Sequence, residues 1–147
     1  MASEIHARRP MSTPKIAKKW ADWSPELRSV LRIVAAFLFM QAGAAKVFGF
    51  PIAILPGGKT VALASQLGIG GLMEVVGGAL LLIGLFTRPV AFLLAGEMAV
   101  AYFQFHLPKG FWPIANGGVS AILYCFIWLY ISAAGAGPWS IDAKRRR

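Results

Sequence analysis

LGIGGLMEVVGGALLLIGL, residues Leu67 to Leu85, is an apolar run with a single carboxylate inside it. An α-helix rises about 1.5 Å per residue, so about 20 apolar residues cross the hydrocarbon core of a bilayer. Glu74 therefore falls within the membrane, about a third of the way along the run. Gly70, Gly77 and Gly84 recur at seven-residue intervals, and Gly71 and Gly78 repeat the interval beside them. Glu74 is three or four residues from Gly70, Gly71, Gly77 and Gly78, which puts all five on one helix face. Small residues let a neighbouring backbone approach closely. The carboxylate is thus expected to point into a bundle and not into lipid. Gly77→Leu is expected to be among the most disruptive changes in this span. Leu81, read as lying on the opposite face, is expected to tolerate Ile. An ionisable residue inside a membrane is a functional candidate by default.

Composition agrees with a membrane protein. Of 147 residues 57% are hydrophobic and only 14% charged, where soluble domains carry about 25% charged residues. The net charge of +9 sits at the two ends of the chain and not along a folded face. Tails over anionic lipid account for it better than nucleic acid, which is not expected as a partner. One cysteine, Cys125, excludes an intrachain disulfide and a CxxC redox pair. It lies in an apolar run and reads as a small buried hydrophobe.

The polar segment 1–27 precedes the membrane domain, with Trp20 and Trp23 placed for the headgroup layer. Ser24-Pro25-Glu26 reads as a helix start, with Ser24 as N-cap and Pro25 at the first helical position. The membrane domain, 28–136, is expected to hold four spans. The first runs from Ser29 to Phe48 and carries Gln41 and Lys46; Gly49 and Pro51 stop it. Pro56-Gly57-Gly58 is a turn signal. The Leu67–Leu85 run is the second span. Thr87-Arg88-Pro89 is a tight turn into the third, Pro89 to Phe105, which carries Glu97. Asn116 and an aromatic, Pro-rich loop lead to the fourth, Gly118 to Ala134, with Ser120 and Tyr124 on one face. Residues 137–147 are expected to leave the membrane as a basic cytoplasmic tail whose Trp139 meets headgroups. The fold class is thus an all-α, four-helix transmembrane bundle.

Four spans put both termini on one side. Twelve of the 15 basic residues fall on that side, among them Arg28, Arg32 and Arg88; Lys46, Lys59 and Lys109 fall on the other. The positive-inside rule then makes both termini cytoplasmic. Arg88 reads most simply as a topology anchor.

The segments GAAKVFGF, MEVVGGALLLIGLFTRP, NGG followed by LYCFIWLY, and GAGPWSID, in this order and spacing, resemble the DoxX family of small bacterial membrane proteins. The resemblance covers Arg28 to Asp142. It implies a four-helix protein of the bacterial inner membrane, linked to respiratory or redox complexes. The related DoxD protein is a subunit of a thiosulfate:quinone oxidoreductase, and other members partner with thiol- or superoxide-handling enzymes. Some eukaryotic relatives of the fold act as chaperones or cargo receptors. Members often carry an acid directly after the NGG, where this chain has Val119.

By helical rise from the terminal side, Glu97 lies about 13 Å deep, Glu74 about 18 Å and Lys46 about 25 Å. A lysine stem reaches several ångströms, so Lys46 meets Glu74 if the first two spans are neighbours. Glu74 and Glu97 are candidate proton carriers. Lys46, Gln41, Tyr124 and Asn116 are candidates for lining a polar pocket that holds a quinone headgroup. Quinone reduction consumes protons, and a buried acid can supply them. Against this stands a purely structural polar core that fixes helix register. Nothing in the sequence supplies an electron carrier, so both readings call for a protein partner or a homo-oligomer. His6 and His106 have no ligand-spaced companions, so no metal or haem site is expected. No nucleotide motif occurs, and Ser120 has no His within helical reach for a hydrolase triad.

Overall fold

A computed structural model describes residues 15–145. His6, Arg8 and Arg9 and the last two arginines of the basic tail lie outside that range. The described residues contain helices and no strands. A short helix α1 (Lys15–Asp22) runs through Trp23 into α2 (Ser24–Val47), and Trp20 and Trp23 are exposed. Ser24, expected as the N-cap, already lies inside α2. Trp23 holds the cap position with near-helical φ −87° and ψ −8°, and no side chain caps the helix. The cap is not needed because α1 delivers the chain in a helical conformation.

The turn Pro56–Gly58 leads to α3 (Gln66–Ile83), which Ser65 caps by accepting the Gly68 N–H at 3.1 Å. Gly84, expected as the third member of the glycine stripe, instead ends α3. Its φ of +68° is left-handed, and Leu85 N–H returns to Leu80 O at 2.9 Å. Then α4 (Thr87–Ala101) continues through a π-turn, Tyr102–His106, and a 3-10 turn, Leu107–Lys109. One turn, α5 (Pro113–Asn116), precedes α6 (Val119–Ala134), and a last turn, α7 (Ile141–Lys144), follows.

Three of these helical runs are long and apolar enough to cross a membrane: Ser24–Val47, Gln66–Ile83 and Thr87–Lys109. The fourth apolar helix, α6, is shorter at 16 residues. Val34, Phe37, Val76, Phe92, Leu123 and Phe126 face outward around the bundle, as expected where lipid is the solvent. The architecture is compatible with a membrane helical bundle.

The helices pack as two pairs, α2 with α3 and α4 with α6, joined mainly through α3 and α4. The core between the pairs holds Phe39, Leu81, Leu94, Trp128 and Ile131, with alanines at 35, 36, 91, 95 and 121. The Phe39 ring meets Tyr124 at 4.9 Å and Trp128 edge-on at 5.5 Å, arrangements that aromatic quadrupoles favour. Leu81 is fully buried, contrary to the expectation that it faces away from Glu74. Seven residues separate the two, so they share a face.

The glycine face divides into two columns. A Cβ at Gly71 or Gly78 would meet α2, at Val47 or Met40; one at Gly70 or Gly77 would meet α4, at Glu97 or Leu94. Two glycines per heptad thus bring two helices close to one, with Glu74 between them.

Candidate functional site

Lys46 stands on the last turn of α2, and Glu74 midway along α3. Gly43, one turn before Lys46, lies so close to α3 that a Cβ there would be 2.5 Å from Gly71 O. This approach brings Lys46 Nζ to 2.5 Å from Glu74 Oε1. The Glu74 side chain is 3% exposed and that of Lys46 24%, so the pair lies inside the bundle and the lysine end approaches its rim.

Glu97 comes from α4. It lines the same cavity, of about 70 Å3, with Lys46, Glu74, Gly70 and Phe105. Gly70 opens the space: a Cβ there would lie 3.1 Å from Glu97 Oε1. Oε2 of Glu74 and Oε2 of Glu97 are both buried with no hydrogen-bond partner. A water occupies about 30 Å3 in the liquid. The cavity therefore has room for one or two waters beside the acids. Ligand pockets run to about 300 Å3 and more, so the cavity does not fit a quinone ring. Gln66, which sequence reasoning missed, lines its outer end and donates to Gln104 Oε1. Its position directly after the Ser65 cap is the signal that would have found it.

The other candidates lie elsewhere. Tyr124 belongs to the aromatic cluster, within electrostatic reach of Glu74, but does not line the cavity. The Gln41 side chain is half-buried and makes no hydrogen bond among the described residues. Asn116 staples its own loop: Nδ2 donates to Gly110 O at 2.8 Å, and Oδ1 accepts Gly118 N–H at 2.7 Å. His106 Nδ1 lies 3.1 Å from Asn116 O. Among the described residues no group of three His, Cys, Asp or Glu is arranged to hold a metal ion.

A second cavity of about 320 Å3 lies between α3 and α4, lined by apolar side chains including Leu72, Val76, Leu93 and Leu94. It suits a hydrocarbon chain and offers no polar group to a headgroup.

At the opposite end of the bundle, three arginines close helix ends. Arg32 is fully buried; it donates from Nε to Ala136 O at 2.8 Å, from Nη1 to Leu81 O and Leu82 O, and from Nη2 to Trp139 O. Arg28 donates to Ala134 O, and Arg88 to Ser132 O and Ala133 O. These carbonyls include those left without partners at the ends of α3 and α6, where a cation also meets the negative helix terminus. Asp142 does the converse for α4, accepting Phe86 N–H at 3.0 Å and Thr87 N–H at 2.8 Å. The part of the basic tail from Gly137 to Arg145 is therefore tied to α2 and to the α3–α4 turn.

The model of the DoxX family matches residues 27–107. A protein of Haemophilus influenzae, described only as an uncharacterized protein, is 45% identical over 125 residues, 83% of this chain and 92% of its own length. No solved structure matches the chain.

Proposed function

This chain belongs to the DoxX family, and from that premise we propose that it is an inner-membrane subunit of a quinone-linked redox complex. In that complex it holds protons and a partner protein carries the electrons. One observation supports the reading above all: Lys46, Glu74 and Glu97 share a water-sized cavity inside the bundle, with one oxygen of each acid unpartnered. One ammonium balances one carboxylate. The second acid is neutral only when it carries a proton, and an isolated charge in such a site is costly. The cluster is thus built to hold one exchangeable proton. The quinone link comes from the family, and the ring itself has no seat in this cavity.

The same ion pair favours a second reading, since a contact between α2 and α3 at 2.5 Å also fixes helix register. A non-catalytic assembly protein would need it for that alone. Glu74→Gln and Glu97→Gln separate the two. Both variants are expected to fold, because Gln keeps the shape and hydrogen bonding. In the proton-holding reading, quinone-linked electron transfer in membranes falls about 100-fold. Folded variants with full electron transfer, in a preparation whose lipid extract holds no quinone by mass spectrometry, favour the assembly role.

Orientation is tested separately. A reporter fused after Arg147 is expected in the cytoplasm, and a tag in the exposed turn Pro56–Gly58 in the periplasm, from the charge asymmetry of the sequence. A periplasmic C-terminus would refute it.

A further inference from the structure

The end of the bundle closed by the arginines contains a cavity of about 400 Å3, within the range of ligand sites. Arg28, Arg88, Asp142, Pro25, Gly135 and Ser140 are among its lining residues. The arginines at this end are used unequally. Arg32 donates from all three nitrogens, using four of its five N–H groups. Arg28 and Arg88 each donate from Nη1 alone. Arg28 Nε is buried with no hydrogen-bond partner. Nε and Nη2 of Arg88 make no hydrogen bond among the described residues and lie against Gly135, where a Cβ would be 3.2 Å from Nη2.

Each of the two guanidinium groups is therefore anchored to α6 through Nη1 and lines one cavity, where Arg88 keeps Nε and Nη2 unused among the described residues. Their anchors are the carbonyls of consecutive residues, 132 to 134, so the two flank a single helix end. The carboxylate of Asp142 also lines the cavity, but its oxygens accept the amides that begin α4. Two cations against one acid leave the cavity positive. Paired guanidinium forks match phosphate oxygens in geometry and charge.

We propose that this cavity binds a phosphate group, carried by the headgroup of an anionic membrane lipid. Trp23 and Trp139, both exposed at this end, are of the type that sits at headgroup level, which favours a lipid over a soluble phosphate compound. The bound phosphate joins the start of α2 to the start of α4.

Native mass spectrometry of the full chain tests this. The probes are phosphatidylglycerol, a glucosyl diacylglycerol of the same acyl chains, and inorganic phosphate. The wild-type chain is expected to retain one phosphatidylglycerol and not the glycolipid. Arg28→Lys with Arg88→Lys keeps both charges and a donor for α6 but removes the forks, and should lower retention about tenfold. Arg145→Gln removes a charge from the same end, outside the cavity, and should retain lipid as wild type does. Binding of inorganic phosphate without retained lipid, lost in the double lysine variant, supports the phosphate site and assigns it to a soluble compound. Equal retention of the two lipids without phosphate binding overturns the proposal, as does equal loss in Arg145→Gln and the lysine pair. If the lysine pair does not fold, the wild-type comparison of the two lipids decides alone.

Discussion

Arg32→Met is expected to destabilise the protein by about 4 kcal/mol or more. Met preserves the apolar stem, so little packing is lost. What disappears is a guanidinium that is 0% exposed and serves the carbonyls of Leu81, Leu82, Ala136 and Trp139. Hydrogen bonds to a charged group contribute about 1.5–3 kcal/mol each, and buried carbonyls left without a donor cost more than bonds never made; of the four, Leu81 O keeps the Gly84 N–H at 3.1 Å. Arg32→Lys should fall between, because one ammonium cannot reach four acceptors in three directions. Thermal unfolding in detergent gives the ranking. Limited proteolysis at Gly135–Pro138 should accelerate in Arg32→Met before the helices melt. A Met variant within about 1 kcal/mol of wild type would mean that water replaces the guanidinium, and the end of the bundle is then open.

Gly43→Ala should be comparably damaging, about 3 kcal/mol or more, although it adds one methyl group. That methyl would lie 2.5 Å from the backbone oxygen of Gly71 and 2.8 Å from Glu74 Cβ, so α2 and α3 must separate. The separation pulls Lys46 from Glu74, and the variant should lose the ion pair together with stability. Gly77→Ala meets a side chain and no backbone, both Cδ atoms of Leu94 at 2.9 Å and its Cγ at 3.2 Å; its cost should be smaller. Gly96→Ala meets nothing within 4 Å and should be neutral or stabilising by about 0.5 kcal/mol. If thermal unfolding places Gly43→Ala and Gly96→Ala together, the close approach of α2 and α3 is wrong.

What could be read in advance follows from which forces act along the chain and which act across it. Hydropathy is a local property, so the apolar runs and their turns at Pro56–Gly58 and Gly84 to Pro89 were legible. Spacing along a helix is local too: it put Glu74 on the glycine face and within reach of Lys46. Periodicity was misapplied at Leu81, which shares the face of Glu74 by the same count that placed the glycines. The arginines show the limit more clearly. Arg28, Arg32 and Arg88 sit where topology charges sit, and a basic residue at a helix end reads identically whether it faces water or a neighbouring helix terminus. Their acceptors lie 44 to 107 residues away in the chain, and no local pattern encodes that pairing. Ser140 and Asp142 did carry a hint, as capping residues after the Gly- and Pro-rich turn, but the adjacent Lys144 and Arg145 made the segment look like a solvated tail. Asn116 shows a related limit. A buried amide is as often a loop staple as a ligand, and the chain between Gly110 and Gly118 uses it as one.

The capping of α4 by Asp142 has a consequence for the order of assembly. The carboxylate that receives the Thr87 amide is 55 residues further along the chain. The carbonyls that receive Arg32 at Ala136 and Trp139 are likewise made long after it. A ribosome delivers α2, α3 and α4 to the membrane while the segment that fastens their ends is still unsynthesised. The helices can enter the bilayer one by one, but their shared clasp closes only when the last turn emerges. A pause or premature stop after α6 would leave inserted helices without their fastening, a form that membrane quality control can recognise by its exposed helix ends.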